Sequence, residues 1–233
     1  MTGAPVPMLL SKTQERGARK SGAPKFDKLA RAYRWMEYLS FGPALSRCRT
    51  EFLPDLAHCR NALVIGDGDG RFSARLLETN REIRVDAIDA SPAMLAALVR
   101  RAGRNAVRVR TEVADARAWQ AANSEPYDLV VTHFFLDCLT TDEVRALGAK
   151  IGAAATPNAK WLVSEFAVPR SLFGRIVARP LVSALYSAFG LLTGLRVRAL
   201  PDYASALAET GFQLASRRAR LWGLLVSDLW TSG

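Results

Sequence analysis

The residues with the clearest chemical potential are Gly66, Gly68 and Gly70, which alternate with Asp67 and Asp69 directly behind the apolar run Ala62–Ile65. Glycines at alternate positions after a strand let the backbone turn tightly and approach a ligand at the carboxyl edge of a sheet. A dinucleotide site wants its third glycine one position later, because pyrophosphate must sit on the helix N-terminus. Arg71 stands at that position. Pyrophosphate would also meet two aspartates at short range, whereas a ligand carrying an ammonium and a sulfonium would be attracted to them. Asp89 closes a second apolar run, Val85–Ile88. It lies about 20 residues past the glycines, where a carboxylate can accept both hydroxyls of a ribose. Asp115, in Ala114-Asp115-Ala116, follows a third run and could accept an exocyclic amine. Each aspartate also has a plainer use: Asp89 beside the positive end of a helix, Asp115 as the cap of a short one. Three such signals at the ends of three successive runs point to one edge of one sheet.

The elements that must position these residues alternate strand and helix from Asn61 onward. Phe72–Leu77 has helical spacing, and Ser91-Pro92 opens a second helix carrying Met94, Leu95 and Leu98, with serine as cap and proline at the first helical position. Val107–Val113 reads as a third strand, with Arg108 and Arg110 on one face, and Tyr127–Val131 as a fourth, buried on both faces. Thr140 with Glu143 forms a capping box for a helix reaching about Ala155. Pro157-Asn158 reads as a turn before a fifth strand, Trp161–Phe166. Repeated units of this length imply a parallel sheet with right-handed crossovers. A helix from Asp202 to about Thr210, ended by Gly211, precedes two successive strands, Phe212–Ser216 and Leu221–Leu229, expected as an antiparallel pair at one end of the sheet. The expected class is α/β: a Rossmann-like, doubly wound, mostly parallel seven-stranded sheet with an antiparallel strand near the C-terminus.

Around that sheet, residues 1–24 read as a disordered basic tail, and 25–233 as the globular unit with a helical cap at 25–57 and an insertion at 168–201. In the insertion Phe173, Val177, Leu181, Leu185 and Phe189 form an apolar stripe opposite Arg175 and Arg179. It fits a greasy lid, a helix packed on the sheet, or peripheral membrane contact through 172–200. Pro180–Leu195 is uncharged but shorter than the ~20 apolar residues that a spanning helix needs. A formal charge of +10 favours an anionic partner or simply a basic surface. Three scattered cysteines and two histidines make no zinc cluster, and isolated thiols fit a reducing, cytoplasmic setting.

Taken together, Gly66-x-Gly68-x-Gly70, Asp89 with Ser91-x-x-Met94-Leu95, and Ala114-Asp115-Ala116 resemble the motifs of class I S-adenosylmethionine-dependent methyltransferases. Phe26-Asp27-x-x-Ala30-x-x-Tyr33 resembles the entry helix of the ubiquinone and menaquinone methyltransferase branch. The resemblance implies that the glycine loop with Asp67 holds the methionine moiety of S-adenosyl-L-methionine, that Asp89 holds the ribose, and that Asp115 with Ala116 borders the adenine. Met94 would pack on the purine and Tyr33 would close over the site. One departure is Val64, where the family carries an acidic residue that helps hold the ammonium group.

In that fold the exit of the fourth strand, Thr132-His133-Phe134-Phe135-Leu136-Asp137, lies beside the transferable methyl. It lacks the Asn/Asp-Pro-Pro-aromatic sequence of enzymes that methylate amino groups of bases or glutamine. His133 is the candidate general base, with Asp137 orienting it or binding substrate; alternatively His133 only hydrogen-bonds the cofactor or loop backbone. In-line displacement on an activated sulfonium also proceeds by positioning alone. The leading expectation is a cytoplasmic enzyme that methylates oxygen or carbon of a small lipophilic or aromatic acceptor, without a metal. An RNA-modifying enzyme, motivated by Arg100, Arg101, Arg104, Arg108 and Arg110, and a cofactor-binding module without catalysis are the rivals. Nucleic acid is disfavoured because no RNA-binding module is appended, and oligomeric state is left open.

Overall fold

The computed structural model describes residues 43–121, 125–169 and 200–233. The tail 1–24, Tyr33 and nearly all of the insertion 168–201 lie outside the described residues.

Seven strands form one sheet in the order β3-β2-β1-β4-β5-β7-β6. They are β1 Asn61–Ile65, β2 Arg84–Asp89, β3 Val109–Val113, β4 Tyr127–His133, β5 Ala155–Phe166, β6 Phe212–Arg220 and β7 Leu225–Ser232. The first five pair in parallel, and β7 runs antiparallel between β5 and β6. The helices are α1 (43–49), α2 Arg71–Thr79, α3 Pro92–Ala102, α4 Thr141–Ala154 and α5 Tyr203–Glu209.

The central strands are apolar at successive positions because both of their faces are covered. Ala62 and Val64 of β1, with Leu129 and Val131 of β4, pack on Phe72, Leu76, Leu95 and Leu98 of α2 and α3. Leu63, Ile65 and Val130 point the other way, toward Val144, Leu147 and Ile151 of α4 and Leu207 of α5. Val64, which departs from the family pattern, is therefore one of the core residues, 1% exposed. A third cluster joins Leu45 and Cys48 of α1 to Phe134 and Leu225.

Local signals fix several boundaries. Ser91 caps α3, its hydroxyl accepting the Met94 N–H at 3.4 Å. The capping box on α4 is complete, with Thr140 accepting from Glu143 N–H and Glu143 accepting from Thr140 N–H. Three expected elements are corrected. The third strand begins at Val109, not Val107, since a 3-10 turn occupies Gly103–Arg108 and leaves Val107 91% exposed. The cause is Arg108, whose guanidinium turns back to donate to the carbonyls of Leu77, Asn80 and Ile83 at the C-terminus of α2, where a cation suits the helix dipole. Pro157-Asn158 is not a turn ahead of β5 but an irregularity inside it. Asn158 has φ +61, and the register against β4 slips between Tyr127 and Leu129. In the closing pair β6 extends to Arg220, a tight turn takes Leu221–Gly223, and β7 starts at Leu225.

Asn80 holds the base of the first crossover. It is 4% exposed, its Nδ2 donates to the carbonyls of Leu56 and Cys59, and its Oδ1 accepts from Glu82 and Ile83 N–H. Asn80→Ala would strand these buried backbone groups together. The expected result is a loss of about 2–4 kcal/mol in urea unfolding with the far-ultraviolet circular dichroism of the native state retained.

Candidate functional site

The chain winds from β1 to β2 and β3 on one side and returns to β4 and β5 on the other, so β1 and β4 flank the point where strand order reverses. Ligands of open α/β sheets bind in the crevice outside the carboxyl ends of the strands at this point. Gly66 N–H donates to Ile88 O at 3.0 Å and Ala114 N–H to Asp89 O at 3.2 Å. These bonds bring the glycine loop, Asp89 and Asp115 to one edge, as the sequence pattern implied.

The three glycines have different reasons to be glycine. A Cβ on Gly66 would stand 2.5 Å from the Phe135 ring, and one on Gly70 would stand 2.6 Å from Leu98 Cα. Gly66 thus admits the exit loop of β4, and Gly70 lets α3 pack against the start of α2. A Cβ on Gly68 would meet nothing within 4 Å, although its φ is +60. Gly68 faces open space and is the position at which the backbone is bared to a ligand.

The aspartates divide in the same way. Asp69 is neutralised: Arg101 Nη2 lies 2.7 Å and Arg71 Nε 3.2 Å from its Oδ2. Asp67 has no such counter-ion bond. Its Oδ2 accepts Ser73 N–H at 2.9 Å, which anchors it to the first turn of α2, and its Oδ1 is shut off from solvent without a hydrogen-bond partner. Burial pushes the Asp67 carboxyl up, partly offset by the Ser73 hydrogen bonds and by the charge of Arg49. Asp89 uses Oδ1 to accept Ser91 N–H at 2.8 Å. Burial, opposed by the Ser91 bond and reinforced by the neighbouring Asp67 charge, raises it to about 6. Two carboxylates, steadied by backbone N–H groups, therefore border the crevice beside Gly68.

On the far side, Met94 is buried with only 8% of its surface exposed, and Ala116 is buried among Ile88 and Trp119. Asp115 caps the turn after β3 by accepting Arg117 N–H at 2.9 Å, and it pairs with the Arg117 guanidinium at 3.3 Å. Its plainer use is thus realised.

His133 and Asp137 do not form a hydrogen-bonded pair. His133 is 3% exposed and stands edge-on to Phe72, ring centroids 4.6 Å apart, and neither ring nitrogen has a partner. Burial, with the Arg49 charge, holds it well below the usual imidazole range, so it is neutral at pH 7. Asp137 lies in the 3-10 turn Leu136–Cys138 and neighbours Glu165 instead. Phe134 stacks at a tilt on Phe166 and carries Arg49 above its ring at 5.1 Å.

Two residues escaped the sequence reading. Arg49 of α1 acts electrostatically on both Asp67 and His133, and no motif marks it. Glu165 is 1% exposed, and its Oε1 accepts N–H from Phe135 at 3.0 Å and Leu136 at 2.7 Å. A lone acid inside the apolar strand Trp161–Phe166 was the available signal. Burial and the adjacent Asp137 push Glu165 well above the usual carboxylate range. Among the described residues no group of three or more His, Cys, Asp or Glu could hold a metal ion, and no helix is long and apolar enough to cross a membrane.

Comparison with known proteins finds the same fold. Residues 62–158 match a family model described as a methyltransferase domain. No curated protein matches the chain by sequence. Among solved structures, an O-methyltransferase family protein from Burkholderia thailandensis superposes with TM-score 0.63 at 16% identity over 90% of this chain and 63% of its own. The N-methyltransferase NodS from Bradyrhizobium japonicum WM9, in complex with S-adenosyl-L-homocysteine, gives 0.64 at 15% identity over 89% of this chain and 98% of its own. The mitomycin 7-O-methyltransferase MmcR gives 0.64 at 15% identity over 90% and 67%. The chain thus spans less than two thirds of the Burkholderia protein but nearly all of NodS. The fold is the methyltransferase-type Rossmann sheet with an antiparallel C-terminal strand.

The Asp67–Asp89 repulsion is measurable without any ligand. Because Asp89 titrates near 6 in the folded chain and near 3.9 unfolded, the folded state binds the extra proton between those values. Its ionisation therefore lowers stability as pH rises from about 4 to 6, by roughly 2–3 kcal/mol. Carboxyl carbon NMR should place Asp89 near 6, and Asp67→Asn should move it downward. Asp89→Asn should flatten its share of the stability–pH curve across that window.

Proposed function

We propose that the chain is an S-adenosylmethionine-dependent methyltransferase that acts on oxygen or carbon of a small, lipophilic or aromatic acceptor. The observation that carries the reading is Asp67 Oδ1, shut off from solvent and unpartnered, beside Asp89 and the bared backbone of Gly68. A buried oxygen of an aspartate asks for a hydrogen-bond donor, and a cationic one is best matched to two carboxylates that repel each other. The α-ammonium and sulfonium of S-adenosyl-L-methionine meet that demand; the pyrophosphate of a dinucleotide would worsen the repulsion.

In this reading Asp67 holds the ammonium in place of the acid missing at Val64, and Asp89 accepts the ribose hydroxyls. Met94 and Ala116 flank the purine, with Asp115 at its rim. When bound, the cofactor supplies an electrophilic methyl on sulfur, and the protein's part is to place the acceptor atom in line and keep water out. His133, buried and neutral, is better suited to hydrogen-bond a ligand at the crevice than to take a proton. The choice of oxygen or carbon draws on the absent Asn/Asp-Pro-Pro motif and on the likeness to O-methyltransferases. The isolated thiols agree with a cytoplasmic setting. The RNA reading loses support because Arg101 and Arg108 are engaged within the fold.

Calorimetric titration tests the cofactor half. S-adenosylhomocysteine should bind, NAD should not, and Asp89→Ala should weaken S-adenosylhomocysteine by about 10- to 100-fold through loss of charge-assisted hydrogen bonds. An unchanged affinity in Asp89→Ala sinks the assignment. For the acceptor half, methyl transfer from labelled cofactor should appear with members of a panel of hydrophobic phenols and quinols. A panel in which only amines are methylated would replace oxygen and carbon by nitrogen.

A further inference from the structure

A second polar site lies on the opposite wall of the β4 exit loop. It is a cleft of about 190 Å³ bordered by Asp137, Glu165, Phe166, Tyr203, Arg217 and Val226, with Asp202 at its edge. A volume of this size suits one end of a small ligand rather than a whole one. The loop Phe135–Asp137 is shared with the crevice described above. Phe135 lies against Gly66, while its N–H and that of Leu136 are held by Glu165.

The charges of this cleft are unevenly settled. Tyr203 donates its hydroxyl to Asp228 at 2.9 Å, and Arg217 grips the same fully buried carboxylate at 2.7 and 2.6 Å. Asp202 is occupied capping α5 through Ser205. The one guanidinium among the described lining residues is thus committed to Asp228. Glu165 is different. Its Oε1 has two backbone donors, but its Oε2 is buried without a partner, and the Asp137 carboxylate acts on it electrostatically. Two adjacent carboxyl groups in a sheltered cleft, one with an unanswered oxygen, call for a cationic donor there. The described residues offer no three-ligand cluster for a metal ion.

We infer that the cleft formed by Asp137, Glu165 and Tyr203 is a subsite for a protonated amine carried by the acceptor. The ammonium would donate to Glu165 Oε2 and lie against Asp137, with the Phe166 and Val226 side chains receiving the adjoining carbons. The proposal rests on the methyl-transfer reading and narrows it: the acceptor is a small apolar molecule with a basic nitrogen as its recognition handle, while oxygen or carbon receives the methyl.

The test compares 2-phenylethylamine with its uncharged counterpart 2-phenylethanol by ligand-observed NMR, with and without saturating S-adenosylhomocysteine. The amine should bind at least about tenfold more tightly than the alcohol, the ratio expected of one charge-assisted hydrogen bond in a sheltered site. Glu165→Gln keeps an oxygen for the Phe135 and Leu136 N–H groups but removes the charge, and it should abolish the preference; Asp137→Asn should reduce it. S-adenosylhomocysteine affinity, measured on each variant, reports whether the fold and the cofactor crevice stand. Equal affinities for amine and alcohol, no binding of either, or a preference that survives Glu165→Gln overturns the subsite. Failure of the parent protein to bind S-adenosylhomocysteine would instead overturn the cofactor reading, and the amine-to-alcohol ratio measured without it remains interpretable.

Discussion

The site depends on two carboxylates being kept close together where neither has a bonded counter-ion among the described residues. Asp67 and Asp89 stand at the carboxyl ends of β1 and β2, and the Asp67 charge raises the cost of ionising Asp89. The fold tolerates them because it supplies something other than positive side chains. Ser73 N–H, in the first turn of α2, donates to Asp67, and Ser91 N–H, at the cap of α3, donates to Asp89. The positive ends of two helix dipoles therefore converge on the same crevice. Backbone donors and dipoles steady a negative charge without neutralising it, so an attraction for cations survives. A guanidinium in either place would make the loop more stable and remove that attraction.

The loop leaving β4 couples the two polar regions through backbone geometry. Phe134 has φ +52, an unusual conformation for an aromatic residue, and it turns the chain so that Phe135 packs on Gly66. From there the N–H groups of Phe135 and Leu136 reach Glu165 at the end of β5. An altered charge on Glu165 would be felt at the glycine loop through one layer of packed atoms. Strain at Phe134 is held by its contacts with Phe166 and Arg49 on one side and by the bond from its N–H to Ser164 O on the other.

Much of this was legible in the sequence, for identifiable reasons. The apolar runs at β1 and β4 announce strands covered on both faces, and Ser91-Pro92 and Thr140 with Glu143 announce helix starts because capping chemistry is local. The convergence of residues 66–70, 89 and 115 followed from topology, since parallel strands place their carboxyl ends on one edge. What failed was decided by partners distant in sequence. Val107 looked like a strand residue until Arg108 proved to be capping α2 some 30 residues earlier. Nothing local distinguishes Asp67, unpaired, from Asp69, clamped by Arg101, because the difference lies on α3. Asp137 was a candidate to orient His133 because both stand at the exit of β4. The ring instead stands against Phe72, while the Asp137 carboxylate accepts from Cys138 Sγ.

The treatment of carboxylates across the molecule gives the strongest reason to regard these regions as ligand sites rather than accidents of packing. Several acids that serve the fold are met by arginine: Asp69 by Arg71 and Arg101, Asp228 by Arg217 with Tyr203, and Glu51 by Arg218 and Arg220. A chain with 32 basic and 22 acidic residues has cations to spare for every buried acid. Asp67, Asp89 and Glu165 are instead held by backbone N–H groups, with no arginine bonded to them among the described residues. Unneutralised acids cost stability, and nothing in the packing around them demands the charge, since an amide would satisfy the same N–H donors. Stability alone would therefore have favoured asparagine and glutamine at these positions, and the retained carboxyl groups are the ones that the proposed cationic ligands would use.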